Sequence, residues 1–153
     1  MTAADVHIRP AQPGDVPALC SLVERYWQFE GIPGFDAGRV TALLTTIFEQ
    51  PQRGRVWVAR QGDEAVGYLV AVWLLSIEKG GLVAEIDEFF VIDTCRGAGV
   101  GAALLQAAES DLRQQGCRNV ALQIGRRNTR ARRFYADQGY AARDGYDLLD
   151  KDL

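Results

Sequence analysis

The run Arg96-Gly97-Ala98-Gly99-Val100-Gly101-Ala102 has residue types suited to holding an anion. Before it, residues 86–92 are apolar, aromatic and β-branched, the pattern of a buried strand. From Val100 onward, Leu104, Ala107, Ala108 and Leu112 recur at helical spacing. A chain that passes from strand through glycines into a helix presents the first helical amides, which have no intrahelical acceptor. The helix dipole adds about half a positive charge at that end. Gly97, Gly99 and Gly101 lack side chains, so a phosphate can approach the backbone closely. Arg96 offers a charged, forked donor at the entrance. These features describe a diphosphate cradle.

Three kinds of cradle compete. A Walker-type loop ends in Gly-Lys-Ser/Thr, which is missing here. The dinucleotide form G-x-G-x-x-G/A matches at Gly97, Gly99 and Ala102. It also requires an acid about 20 positions on, whereas the next strand, 119–124, runs into Gly125-Arg126-Arg127. The third form is Arg-x-x-Gly-x-Gly, at Arg96, Gly99 and Gly101. Against all three stands a turn whose glycines serve only close strand–helix packing. One glycine would suffice for that, and three cost conformational entropy.

The elements that must position this turn follow from periodicity. Strands are expected at 6–9, 55–61, 65–77 and 82–92, the last three linked as hairpins by Gly62-Asp63 and by Glu78-Lys79-Gly80-Gly81. A helix reaches to about Phe29, with Val16, Leu19, Leu22, Val23 and Tyr26 on its apolar face. Its far end carries Tyr26, Trp27, Phe29 and Glu30 before the breaker Gly31-Ile32-Pro33-Gly34. That end reads either as a wall of a substrate site or as ordinary core. Asp36 caps a second helix reaching about Glu49. The cradle helix ends at Gly116, a strand follows at 119–124, and Asn128 caps a last helix ending at Gly139. Residues 140–142 and 146–149 read as a closing hairpin. The order is βααβββαβαββ, an α/β fold in a single domain, 1–153. A dinucleotide domain opens with its glycine loop after the first strand, so this order counts against that form.

The Arg-x-x-Gly-x-Gly turn, the aromatic strand before it and the later Asn128…Ala131…Phe134-Tyr135…Gly139-Tyr140 pattern together resemble the GNAT family of N-acetyltransferases over nearly the whole chain. The resemblance implies a mixed sheet splayed between the strands on either side of the cradle helix, with acetyl-CoA as cosubstrate. Its diphosphate would lie on Arg96, Gly97, Ala98, Gly99, Val100, Gly101 and Ala102. Its pantetheine arm would pair with the backbone of Phe89, Phe90 and Val91 like an added strand. Asn128 and Ala131 would also hold the cofactor. Among branches, the diamine (spermidine/spermine) acetyltransferases are similar in their Glu-Asp-Phe-Phe-Val strand, where this chain has Asp87-Glu88-Phe89-Phe90-Val91.

Acetyl transfer to an amine needs a deprotonated amine, a polarised carbonyl and a protonated leaving thiolate. Glu85, Asp87 and Glu88 are the candidates for taking the ammonium's proton. Strand alternation puts Glu85 and Asp87 on one face and Glu88 on the other, unless a bulge intervenes. By resemblance Asp87 is favoured, then Glu85. If the aromatic, acidic end of the first helix is a substrate wall, its Trp27 and Glu30 would contact the acceptor together with Asp87 and Glu88. A solvated strand edge is the plainer reading of these acids. Tyr135 matches the family's proton donor to the thiolate, with Phe134 as its core neighbour. A strand amide near Val91 would hold the carbonyl oxygen. Arg126, Arg127, Arg130, Arg132 and Arg133 read as a solvated basic face or a contact to the 3′-phosphate of coenzyme A. Cys95 beside Arg96 leaves an acetyl-cysteine route open; direct attack is the family's usual scheme.

Bulk properties bound the partners. The chain has 153 residues, 48% of them hydrophobic, enough for one core. A net charge of −3 gives no general attraction to nucleic acid. Three cysteines without paired spacing point to a reducing, cytoplasmic setting, and no zinc pattern or metal cluster is visible. No secretory leader is seen, and the apolar stretch 66–77 is too short to span a bilayer, so no membrane partner is expected. The acceptor is expected to be a small-molecule amine, polyamine-like or amino-acid-like, or a peptide or protein amino group. Family habit implies a homodimer. The competing function is a GNAT-fold module that binds acetyl-CoA as a sensor and transfers nothing.

Overall fold

The computed structural model describes residues 5–153. Its residues fall into two compact units, one running to Leu122 and one of Gln123–Leu153.

The first unit is built on a five-stranded sheet in sequential order: β1 (His7–Pro10), β2 (Gly54–Gln61), β3 (Glu64–Ser76), β4 (Gly81–Val91) and β5 (Val120–Leu122). β1 to β4 pair antiparallel, as hairpin-linked strands must, and β5 joins β4 in parallel after a helical crossover. The helices are α1 (Val16–Glu30), α2 (Ala37–Glu49) and α3 (Val100–Gln114). Val56, Trp57, Val58 and Ala59 of β2 are buried without alternation, so both faces of the sheet are covered. Neighbouring side chains show which helix covers which face. The Trp57 indole donates to Asp111 of α3 over 3.1 Å, while Tyr68, next to Leu69 in β3, points the other way, to the side where Trp27 of α1 lies. Leu19, Leu22 and Val23 of α1 and Leu104, Leu105, Ala108 and Leu112 of α3 complete the two apolar layers.

Asp36 caps α2 as expected, its carboxylate accepting from the Arg39 amide at 2.7 Å. Asp15, just ahead of α1, is a buried hub. One of its oxygens accepts from Arg9 (2.7 Å) and the Gln12 amide (2.8 Å), the other from Arg9 (3.0 Å) and Arg60 (3.3 Å). This ties β1 and β2 to the start of α1.

The second unit carries α4 (Thr129–Asp137), which Asn128 caps by accepting from the Ala131 amide at 3.0 Å. The closing hairpin expected at 140–142 and 146–149 does not form: among the described residues, no strand follows β5. A hairpin of three- and four-residue strands is marginal without a buried face. Tyr146, Leu148 and Leu149 are exposed, and Tyr146 lies under the Arg143 guanidinium at 4.3 Å instead. The expected βααβββαβαββ order therefore loses its last two strands and keeps its α/β sheet and four helices.

Candidate active site

β4 is the strand on which the first unit's site is built. Its ladder to β3 pairs Ala71 with Ile86 and Val70 with Glu88, so Asp87 is an extra residue opposite a single step of the partner. Such a bulge bends and twists the strand locally. It also breaks the alternation that would separate Asp87 from Glu88. Both carboxylates act on the same neighbour, Tyr26 of α1, whose phenol is pushed up to about 12 by burial and by the charges of Glu30, Glu88 and Asp87.

The two acids are nonetheless held differently. Glu88 is largely enclosed and accepts two hydrogen bonds: the Trp27 indole donates to one oxygen at 2.6 Å and the Tyr68 hydroxyl to the other at 2.7 Å. Burial raises its pKa, the two bonds oppose that rise, and the charge of Asp87 adds to it. Tyr68, fully buried against this anion, is held as a neutral phenol well above its ordinary value, first by burial. Asp87 is exposed, yet the protein atoms crowding it push its carboxyl up by desolvation. Glu85 stands two residues earlier, in the regular ladder between Val72 and Ala121. The charges of Glu30, Asp87 and Glu88 thus all reach Tyr26, and Trp27 joins them through its bond to Glu88. The sequence reading placed Tyr26 at the aromatic end of the first helix without a role of its own, and it missed Tyr68, which gave no signal at all.

The aromatic end of α1 closes over this site. Phe90 lies 5.7 Å from the ring of Tyr26 and 6.2 Å from that of Phe29, and Trp27 meets Phe35 edge-on at 6.0 Å. The rings of that end pack on one another, and Trp27 also bonds Glu88.

Beyond the bulge β4 and β5 part. Their parallel ladder covers only Ala84, Glu85 and Ile86, and β4 continues through Phe89 and Phe90 to Val91. A short helical turn, Asp93–Cys95, then leads into the glycines. Gly97 and Gly99 adopt left-handed backbone, φ 76° and 83°, which favours glycine over any side chain. Val100, Gly101 and Ala102 open α3, so their amides face the turn without intrahelical acceptors. A Cβ built on Gly97 would touch nothing within 4 Å, which leaves open space before the cradle.

Arg96 is placed differently from the expectation of a free forked donor. Its Nε donates to the Val91 carbonyl at 2.8 Å and its Nη1 pairs with Asp93 at 2.7 Å. The guanidinium also stacks 4.2 Å from the Phe29 ring centroid and 5.1 Å from that of Phe90. Arg96 is a brace joining β4, the turn and α1. Cys95 is buried, without the exposure that a reactive thiol needs.

In the second unit, Asn128 has its side-chain oxygen engaged in the α4 cap, and Ala131 supplies the amide. The ring of Tyr135 packs at 5.1 Å from Phe134 and 5.4 Å from Tyr140. The five arginines from 126 to 133 are exposed, and Arg126 pairs with Asp147 at 3.2 Å. Among the described residues, no group of three or more His, Cys, Asp or Glu is arranged to hold a metal ion, and no helix is long and apolar enough to cross a membrane.

Known proteins are similar to this chain. An uncharacterized N-acetyltransferase of Archaeoglobus fulgidus is 41% identical over 85 residues, 54% of this chain and 57% of that protein. The chain therefore spans little more than half of the archaeal relative. The uncharacterized N-acetyltransferase YhfO of Bacillus subtilis is 26% identical over 141 residues, 92% of this chain and 93% of the relative. A solved integron cassette protein from the mobile metagenome of Cole Harbour Salt Marsh is 31% identical, covers 100% of this chain and 93% of its own, and superposes with a TM-score of 0.85. The family model described as the acetyltransferase (GNAT) family matches residues 17–140, across the cradle, the bulged strand and α4. With its glycine turn, its parted strands and this match over most of its length, the chain belongs to the acetyltransferase (GNAT) family.

Proposed function

We propose that the protein moves an acetyl group from acetyl-CoA to a primary amine of a small, cationic molecule by direct attack. The observation that carries this reading is the convergence of Asp87, Glu88 and Glu30 around Tyr26, beside the strand that continues past β5. Carboxylates at an aromatic-walled site attract an ammonium group. Once bound, the ammonium must lose a proton before its nitrogen can attack. Asp87 is exposed, and desolvation raises its carboxyl, which suits it to accept that proton. Glu85 is the second choice.

The GNAT family uses acetyl-CoA, and the chain's own residues suit it. The amides opening α3 and the left-handed Gly97 and Gly99 would receive the diphosphate, and the backbone of Phe89 to Val91 would receive the pantetheine arm. The amine lone pair attacks the thioester carbonyl carbon, the carbon–sulfur bond breaks, and the thiolate leaves with the electron pair. Tyr135 is proposed as the donor that protonates it, on the family resemblance. The reading treats 1–153 as one functional domain, and the family match runs unbroken across Leu122. A homodimer and a reducing, cytoplasmic setting belong to the same proposal, and three free cysteines suit the latter.

The test is thiol release from acetyl-CoA across polyamines, amino acids, aminoglycosides and peptide N-termini, with cofactor binding measured alongside. Release with a cationic small amine is the expected result. Tight binding without release across the panel would favour an acetyl-CoA sensor. Absence of binding would overturn the cradle.

A further inference from the structure

Glu88 has a connection that the transfer chemistry does not require. Its two oxygens join three elements: α1 through Trp27, β3 through Tyr68, and β4 at the edge of the Asp87 bulge. The partners lie 61 and 20 residues away in the chain, so the bonds fix tertiary placement and not local turn geometry. We infer that Glu88 is a positioning residue, an anionic clamp that pins the aromatic end of α1 over the bulge and leaves Asp87 to meet the acceptor. This rests on the acetyl-transfer reading for what is positioned, and on the two hydrogen bonds for the clamp itself.

The chemistry separates the two roles. A carboxylate that accepts from an indole and a phenol is held in its charged form by both bonds, which oppose its taking a proton. Both donors are held in place by burial or packing: Tyr68 is fully buried, and Trp27 rests against Phe35. Charge-assisted bonds of this length are the strong kind. Among the described residues, Asp87 has no such pair of donors, and it is exposed. The groups facing Asp87 are Tyr26 of α1, Tyr68 of β3 and Glu88 itself, with Glu30 beyond Tyr26. Both phenols stay neutral in the working range, so Glu88 is the neighbouring anion that interacts with Asp87.

The experiment compares Glu88→Gln with Glu88→Ala. A glutamine can still accept from Trp27 through its carbonyl and donate to the Tyr68 oxygen, so it keeps the clamp without the charge. Glu88→Ala is expected to lower kcat/KM for the acceptor roughly 100-fold, as a misplaced wall does, through a raised acceptor KM and with the acetyl-CoA KM little changed. Glu88→Gln should lose only about three- to tenfold, because its bonds are neutral. Without the neighbouring anion, the acid limb of its kcat/KM profile should move down by roughly half a pH unit, the scale of a screened neighbour. The indole N–H resonance of Trp27, assigned with Trp27→Phe, reads the clamp without any turnover. It should shift upfield in Glu88→Ala and stay near its place in Glu88→Gln. A glutamine variant as inactive as the alanine one would make Glu88 itself the reacting acid and overturn the proposal. An indole resonance unmoved in Glu88→Ala would overturn the clamp. If no acceptor supports turnover, the transfer reading fails separately, and the resonance still decides for or against the clamp.

Discussion

The glycine turn makes a prediction whose control lies at the other end of the same helix. Gly97 precedes α3 with φ 76°, and Gly116 follows it with φ 87°. A Cβ on either would meet nothing within 4 Å. Alanine at either position therefore meets no clash, and its penalty is that of a side chain in left-handed backbone, about 1–2 kcal/mol. Loss of unfolded-state freedom returns part of that, about 0.4–1 kcal/mol. Each variant should thus lose about 1 kcal/mol, a drop in Tm of about 2–4 °C for a chain of this size. Only Gly97→Ala places a methyl group where a diphosphate would approach. The loss of one charge-assisted amide contact is about 1.5–3 kcal/mol, or about 10- to 100-fold in Kd. Calorimetric titration with acetyl-CoA, paired with thermal unfolding of the free proteins, reads both quantities. The expected pattern is matched losses of Tm and a weakened Kd in Gly97→Ala alone. Equal Kd for the two variants, in either direction, would refute the assignment of this turn as the phosphate cradle.

Two further predictions follow from side chains. Tyr135→Phe should reduce kcat at least about tenfold while leaving the acetyl-CoA Kd within about twofold, because a proton donor acts only in the transition state; unchanged turnover would remove Tyr135 from the chemistry. Asp15→Asn should cost about 3 kcal/mol, the low end for breaking a buried pair, since Arg9 and Arg60 keep some solvent contact. The hydrogen bond from Arg9, opposed by burial and aided by the Gln12 amide, holds the Asp15 carboxyl below its ordinary value. A carboxyl depressed in the folded state stabilises fully above its unfolded pKa near 3.8, and that contribution is lost as pH falls through the folded value. Urea midpoints should therefore show the wild-type advantage at neutral pH and a narrowing gap in acid. A gap that stays constant from neutral pH into acid would show that the Asp15 charge is not its source.

What could be read in the chain divides along a physical line. Elements set by local period were legible: the apolar face of α1, the Asp36 and Asn128 caps, the three hairpin-linked strands and the glycine turn all lie close to where spacing puts them. The closing hairpin shows the limit of the same rule. The alternation around Tyr146 and Leu148 is real, but alternation makes a strand only when one face is buried, and here both side chains stay exposed. Asp15 shows the converse. A residue typical of turns became a buried hub because Arg60, 45 positions on, reaches it from β2.

The candidate site divides in the same way. Its cofactor half is made of backbone, glycines and a helix start, and backbone is what local sequence specifies. Its acceptor half is made of side chains that meet across elements, and no spacing rule spans the 61 residues from Trp27 to Glu88. The bulge joins the two halves. A strict strand would have turned Asp87 and Glu88 to opposite faces, one of them away from Tyr26. One extra residue places both acids beside it, and the same strand then runs on past β5 toward the glycine turn. Arg96 reinforces this continuity by bonding the end of β4 and stacking on Phe29 of the acceptor wall. Its Nε and Nη1 hold the strand and the turn together, and the amides that the glycines expose stand beside it as the proposed phosphate donors.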